Sequence, residues 1–325
     1  NMRILVTGGA GYIGSFMTKR LLDGRHKVTV IDSLERGDRD AVDKRAQFKQ
    51  GDLKNLSFLE SFFSKNSFDA VMHFAGYISV EESTKNPSLY YKNNVVGSKN
   101  LFLSAVKKGH VNKFIFSSSA AVYGNPKVIP IPESHPKNPT SPYGKGKLEV
   151  EKMLESFQKE KGLNVVSLRY FNAAGAAFNG SMGEEHNPET HIIPLAINAV
   201  LKGKEFILYG NDYKTPDGTC IRDYIHVVDL VDAHILALDK LKKDKGGFFY
   251  NVGTGKGYSN KEVIEMVKKI SGVDFKVKIE NRRSGDPERL IADPTLIQKE
   301  LGFKPQYSDI ATIVETAWEW HKKNY

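Results

Sequence analysis

Short apolar runs alternate with amphipathic stretches through the first half of the chain. Residues 3–7, 27–32, 70–74, 113–118 and 165–170 each read as a strand buried on both faces. Residues 13–22, 90–108 and 143–161 instead carry apolar positions at helical spacing. This alternation predicts an α/β fold, a doubly wound parallel sheet with helices on both faces. Such sheets bind ligands outside the carboxyl ends of their strands. The side chains just after each strand are therefore the candidates for chemistry.

After Asn172 the pattern loosens. Residues 175–194 are rich in Gly, Asn, Glu and Pro and have no period. That is too long for a simple connector and predicts a functional loop. Beyond it, helical patterns over 194–202, 228–241, 259–271 and 310–322 mix with short strands. The predicted division is a first domain over residues 1–175 and a smaller C-terminal α/β substrate domain over 176–325. Some later segments could return to the first domain.

Composition narrows the class. Of 325 residues, 26% are charged and 40% hydrophobic, ordinary for a globular chain. The length suffices to bury a sizeable core without staples. Cys220 is the single cysteine, which excludes an intramolecular disulfide and a cysteine-based metal cluster. No metal is expected. No apolar run approaches the roughly 18 residues of a membrane span. Met2-Arg3-Ile4 leads straight into a strand pattern, with no signal peptide, so a cytoplasmic, reducing compartment is expected. The net charge of +9 comes largely from scattered lysines. These read as solvated helix faces rather than a nucleic-acid footprint.

Thr7 is followed by Gly8, Gly11 and Gly14 at the start of a helical pattern. Gly8 suits the turn out of a strand, Gly11 close approach of a pyrophosphate, and Gly14 close helix–sheet packing. The helix N-terminus would offer free N–H groups to phosphates. Asp32 ends the second strand, where a carboxylate holds the adenosine ribose hydroxyls. The first domain is thus expected to be of Rossmann type. A carboxylate at Asp32 repels a 2′-phosphate and favours NAD over NADP, with Arg36 as the nearby feature that would suit the phosphate. Gly51-Asp52-Leu53 could flank the adenine, and His73-Phe74-Ala75-Gly76 could line the phosphates on the nicotinamide side.

Tyr143 and Lys147 stand one helical turn apart and share a face. A free phenol is a poor base at neutral pH, and a neighbouring ammonium is expected to lower its pKa. The pair could then move a proton to or from a hydroxyl. Ser117-Ser118-Ser119 end a predicted strand and could hold the substrate oxygen beside the tyrosine.

Residues 7–14, the serines with Tyr123-Gly124, and Ser141-Pro142-Tyr143-Gly144-Lys145-Gly146-Lys147 together resemble the extended short-chain dehydrogenase/reductase superfamily. The stretch from Tyr209-Gly210-Asn211 to Thr219, and Arg222-Asp223-Tyr224-Ile225-His226-Val227-Val228-Asp229-Leu230, look like the signature of the UDP-glucose (UDP-galactose) 4-epimerases. Arg169-Tyr170-Phe171-Asn172 and Arg282-Arg283-Ser284-Gly285-Asp286 match it too. The resemblance implies NAD-dependent, reversible epimerisation at C4 of a UDP-hexose, through a 4-keto intermediate. It implies Tyr143 as acid/base, Lys147 as its pKa modulator and ribose ligand, and Ser119 as the hydroxyl partner. Gly8, Gly11, Tyr12, Ile13, Gly14, Asp32, Ser33, Asp52, Leu53, Phe74, Ala75, Gly76, Asn93, Lys147 and Phe171 would hold NAD. Ser119, Tyr143, Asn172, His191, Tyr209, Arg222, Arg283 and Asp286 would hold the UDP-sugar, the arginines on its pyrophosphate. It also implies a homodimer through the helices at 90–108 and 143–161, and a place in galactose metabolism.

Some positions depart from well-known members. Ile78 stands where some carry a lysine that contacts the cofactor, and His191 where others carry asparagine. His191 could bond the diphosphate or serve in packing, and Arg283 could form a solvated basic pair with Arg282. Ala120 and Ala121 follow Ser119 where dehydratases on this fold place acidic residues. Alanine supplies neither acid nor base, which argues against a 4,6-dehydratase and against a uronate decarboxylase. Leu290 falls near the position that limits the sugar's 2-substituent, so 4-epimerisation of UDP-GlcNAc or UDP-glucuronate stays open. A non-catalytic NAD-binding regulator is the alternative outside enzymes.

Overall fold

A computed structural model describes residues 1–325. In chain order the elements of the first half are β1 (Arg3–Thr7), α1 (Tyr12–Asp23), β2 (Lys27–Asp32), β3 (Gln47–Gln50), α2 (Leu56–Lys65), β4 (Ala70–His73), α3 (Val80–Lys85), α4 (Pro87–Tyr90), α5 (Gly97–Lys107), β5 (Lys113–Ser119), α6 (Pro142–Lys161) and β6 (Asn164–Tyr170). There follow β7 (Asn172–Ala174), α7 (Ile192–Leu201), β8 (Phe206–Tyr209), β9 (Ile221–His226), α8 (Val227–Lys243), β10 (Gly247–Val252), β11 (Gly257–Ser259), α9 (Asn260–Ser271), β12 (Val277–Glu280), β13 (Arg289–Leu290), α10 (Thr295–Leu301) and α11 (Ile310–Asn324).

The chain forms two compact units. One comprises Asn1–Gly124, Pro136–Arg169 and Val231–Tyr250, the other Asn125–His135, Tyr170–Leu230 and Asn251–Tyr325. A single cut after residue 175 is therefore not what the chain makes. It leaves the first unit after Arg169 and returns at Val231, because β10 takes the sheet edge beside β6.

The first unit is built on a seven-stranded sheet of order β10-β6-β5-β4-β1-β2-β3. The registers of β3, β2, β1, β4 and β5 are all parallel. Ile4, Leu5 and Val6 of β1 are fully buried, which is why that strand reads as an unbroken apolar run. Leu59 and Phe63 of α2, Leu101 and Phe102 of α5, and Val150 and Leu154 of α6 pack on Leu5, Val71 and Phe114. Edge strand β3 is mostly exposed and polar, so it lacks that signature. The helix predicted over 90–108 is instead α4, a π-helical turn over Tyr91–Val96, and α5. Within that wider turn, Asn94 brackets the backbone of Tyr77, accepting from its N–H at 2.8 Å and donating to its carbonyl at 3.0 Å.

In the second unit β9 pairs with β7, β11 and β13, and β8 pairs with β12. Helices α7, α9 and α11 share a core of Ile193, Ile197, Val263, Val267, Ile313 and Val314. Asp223 on β9 is fully buried and accepts from the backbone amides of Thr254, Gly255 and Ala292. Asp229 likewise accepts from the amides of Gln306 and Tyr307 and the hydroxyl of Ser308. The two carboxylates thus fasten distant loops to β9 and α8. Residues 175–191 form no helix or strand, as their lack of period predicts.

Candidate active site

The strand order reverses at β1. The chain runs outward from β1 to β2 and β3, then crosses back to β4 on the other side. The carboxyl ends of β1 and β4 therefore flank a switch-point crevice, the ligand position of such sheets. The loop of residues 8–14 leaves β1 there, and residues 74–76 leave β4. A Cβ on Gly8 would stand 2.6 Å from the Ala75 amide nitrogen, and one on Gly14 2.2 Å from the Gly8 carbonyl oxygen. Only glycine lets the two loops and α1 come this close.

Gly11 caps α1 with no side-chain hydrogen bond, so the first-turn amides stay available to an anion. The neighbouring Tyr12 ring is buried edge-on against Phe16. Asp32, at the end of β2, accepts from the amides of Ala10 at 3.0 Å and Leu34 at 2.9 Å. Burial lifts its pKa and these two bonds oppose the lift. A carboxylate has about four acceptor sites, so two remain for ribose hydroxyls. Arg36 forms a two-pronged ion pair with Glu82, at 2.7 and 2.8 Å, and lies 3.8 Å from the Tyr77 ring centroid. That cation is committed, so NADP loses the feature that would have suited it. The uncapped helix, the glycine cradle and the acidic strand end fit NAD.

Other expected cofactor residues vary in what they present. Ser33 Oγ accepts from the Glu35 amide and Asp52 from the Lys54 amide. The Leu53 side chain lies in the core and its carbonyl accepts from Asn100. Asn93 sits on the π-helical turn and donates to Asn94. Phe74 lies 5.0 Å from the His234 ring, and Ile78 is exposed.

Tyr143 opens α6. Ser141 caps this helix by accepting from the Gly144 amide at 3.1 Å, and Pro142 stands in its first turn. The Tyr143 amide donates to Ser83 Oγ at 3.1 Å. The Ser119 hydroxyl faces that of Tyr143 and accepts from the Ala121 amide at 3.1 Å. Burial lifts the phenol's pKa above its usual value, and the neighbouring Ser119 hydroxyl opposes that. Lys147 is itself buried, which lowers its pKa to about 8. It donates to the Ser117 carbonyl at 2.8 Å, with its Nζ 5.6 Å from the Tyr143 ring centroid.

Sequence reasoning missed the groups behind this pair. Glu151 lies one turn beyond Lys147 and is buried. It accepts from Ser118 at 2.5 Å and pairs with buried Arg169 at 2.7 Å. Arg169 also donates to the Tyr123 hydroxyl at 2.9 Å. The signal was present: Tyr143, Lys147 and Glu151 repeat at one-turn spacing. His73 is buried with its ring nitrogens 2.6 Å from Thr7 Oγ1 and 2.7 Å from Ser98 Oγ. Burial first, and then the charge of Lys147, bring its pKa down to about 3, so it ties β1, β4 and α5 together as a neutral ring.

In the second unit, Tyr209 ends β8 and the Arg283 guanidinium lies 5.2 Å from its ring centroid. Arg283 also donates to Asp286 at 3.1 Å. Arg282 turns away, pairing with Asp212 at 2.7 Å over the Tyr213 ring. The two arginines therefore do not form one solvated pair. Arg222 lies on β9 with Leu290 beside it in register. Asn172 starts β7, and the Phe171 amide donates to the Val252 carbonyl. The His191 Nδ1 sits against Glu184, leaving Nε2 as the nitrogen for another ligand.

A model of the NAD dependent epimerase/dehydratase family matches residues 4–253. A UDP-glucose 4-epimerase of Halalkalibacterium halodurans is 48% identical over 324 residues, 99% of this chain and 96% of that protein. A UDP-glucose 4-epimerase structure from Brucella ovis in complex with NAD superposes with a TM-score of 0.93 at 43% identity, covering 98% of each chain. One from Bifidobacterium longum, in complex with NAD+ and UDP, gives 0.94 at 38% identity, covering 99% of this chain and 98% of that one. No helix is long and apolar enough to cross a membrane.

Proposed function

The chain belongs to the NAD dependent epimerase/dehydratase family, and we propose that it interconverts UDP-glucose and UDP-galactose by reversible epimerisation at C4. The observation that carries this is the Tyr143–Ser119 hydroxyl pair followed by a turn with no acid. That turn, Ala120–Tyr123, offers only the Tyr123 phenol, which accepts from Arg169. A dehydratase needs a separate acid and base there. An epimerase needs one group that takes and returns a single proton.

Tyr143 takes the C4 hydroxyl proton while Ser119 holds the oxygen, giving a 4-keto sugar. NAD held there would supply the acceptor for the C4 hydride that leaves as that proton does, and the donor for its return to the other face. Tyr143 then gives its proton back. Residues 8–14, Asp32, Ser33, Asp52, residues 74–76, Asn93, Lys147 and Phe171 are proposed to hold NAD, with Leu53 contributing backbone only. Asn172, His191, Tyr209, Arg222, Arg283 and Asp286 are proposed to hold UDP. We place the enzyme in the cytoplasm, in galactose metabolism, as a homodimer. Exposed Leu89, just before the π-helical turn, and Tyr91, its first residue, are the apolar groups that would support such a contact. Half-buried Leu290 beside Arg222 is the observation that favours an N-acetyl sugar as a second substrate.

The test is to incubate the purified protein with UDP-galactose, UDP-GlcNAc and UDP-glucuronate, without added NAD. UDP-glucose from UDP-galactose is expected. No conversion of UDP-galactose, with or without NAD, would overturn the proposal.

A further inference from the structure

We propose that Glu184, His186, Glu189 and His191 form a site for one divalent transition-metal ion of the zinc type. The ion would pin residues 184–191 at the start of α7.

The four side chains each offer one donor atom, and these atoms all lie within 4.8 Å of one another. His186 Nδ1 is 3.3 Å from Glu184 Oε1 and 3.5 Å from Glu189 Oε2. His191 Nδ1 is 3.8 Å from Glu189 Oε1 and touches Glu184 Oε1. A tetrahedral ion with bonds of about 2.0–2.2 Å sets its donors about 3.3–3.6 Å apart. The two separations from His186 match that scale, and the two from His191 bracket it.

Burial supplies a second argument. Glu184 is 3% exposed, and both ion-pair partners shown for it are histidines. A buried carboxylate needs a compensating cation. As imidazoliums the two histidines supply that charge, and a divalent ion would take the place of their two protons with the charge of the cluster unchanged.

The support around the donors is also built. Glu189 Oε1 accepts from the amides of Thr190 at 2.8 Å and His191 at 2.9 Å, which aims Oε2 at His186. Such bonds to a ligating carboxylate orient it before an ion arrives. A Cβ on Gly183 would meet the Trp320 ring at 2.2 Å, so the segment is seated on α11 next to its first donor. His321 on α11 feels the charges of Glu184 and Glu189 and is the further titratable group facing the cluster. Residues 175–191 have no ladder or helix of their own. Metal bonds would supply the order that hydrogen-bonded elements supply elsewhere. Two imidazoles select zinc-like ions over Mg²⁺ and Ca²⁺, which prefer all-oxygen sets.

The experiment uses untagged full-length protein, equilibrated with ZnCl₂, desalted and analysed by elemental mass spectrometry. About one Zn²⁺ per chain is expected. A chelator should remove it and lower Tm, and added MgCl₂ should not restore Tm. His186→Gln and Glu189→Gln should each weaken Zn²⁺ retention at least tenfold, with the circular dichroism spectrum unchanged. Should a variant not fold, Co²⁺ in the parent protein decides, where the intense visible bands of a tetrahedral site are expected. No Zn²⁺ above the level of the variants, or Co²⁺ bands of the hexa-aquo ion alone, would overturn the site. These readouts do not depend on epimerase activity, so either proposal can fail without the other.

Discussion

Tyr143, Lys147 and Glu151 form one stripe on α6, and each has a different burden. Replacing Tyr143 with Phe removes the only proton carrier beside Ser119. Turnover should fall by about 10²–10⁴-fold, read as kcat with UDP-galactose, while NAD stays bound. A Tyr143→Phe protein with normal kcat would end the assignment. Glu151 acts through Lys147: its charge raises the lysine's pKa, which burial holds near 8. Glu151→Gln removes that support and leaves the Arg169 charge without its carboxylate, and both changes disfavour the ammonium. The alkaline limb of kcat/KM should therefore move to lower pH. Stability should also fall, by about 3–5 kcal/mol for a broken buried pair. Ser118→Ala keeps the Glu151 charge and should leave the pH limb in place. Equal losses at every pH in both variants would reduce Glu151 to a packing role. Tyr143 and Lys147 were legible because spacing puts them on one face. Glu151 continues that spacing, but its partners come from β5 and β6, far along the chain. Burial of the phenol, which lifts its pKa, is likewise not written in the sequence.

At the level of elements, the glycine loop shows what sequence reveals well. Gly8, Gly11 and Gly14 lie together between β1 and α1, so local spacing alone identifies their task. The structure adds which contact leaves least room. A methyl at Gly14 would strike the Gly8 carbonyl oxygen, and neither atom can swing away because both belong to the backbone. Gly14→Ala should therefore displace the start of α1 from the loop. The expected result is protein purified with NAD occupancy reduced at least about tenfold, measured on nucleotide released by denaturation, with most of the fold kept. Full NAD occupancy would show that the phosphates do not lie on that helix start. Strand β3 and the π-helical turn were not legible. Strand β3 is an exposed edge without the apolar run of a central strand. The π turn keeps helical hydrophobic spacing, while its widening accompanies the Asn94 clamp on Tyr77, a contact distant in sequence.

For the whole molecule, the sequence pattern distinguished a sheet-based first half from a looser second half and left room for later segments to return, but did not single out residues 231–250 as the ones that join the first unit. That return is set by β10 taking the edge beside β6, which no local period encodes. Net charge carried less than its size suggests. Of 47 basic residues, most face solvent, while Arg36 is neutralised by Glu82 and Arg169 by Glu151. The cations proposed for UDP are Arg222 and Arg283, both in the second unit. Binding of UDP should then be separable from proton transfer. UDP at about 100 times its Kd should stabilise the folded protein by about 2.7 kcal/mol, seen as a rise in Tm. Tyr143→Phe should keep that rise, because no nucleotide contact is proposed for the phenol. Arg283→Ala should lose most of it, since a charge-assisted bond to phosphate contributes about 1.5–3 kcal/mol. Arg282→Ala should keep it, because Arg282 is turned onto Asp212 and Tyr213 instead. If Tyr143→Phe lost the UDP shift while Arg283→Ala kept it, the nucleotide would have to sit with the catalytic residues, and the proposed division between the units would be wrong.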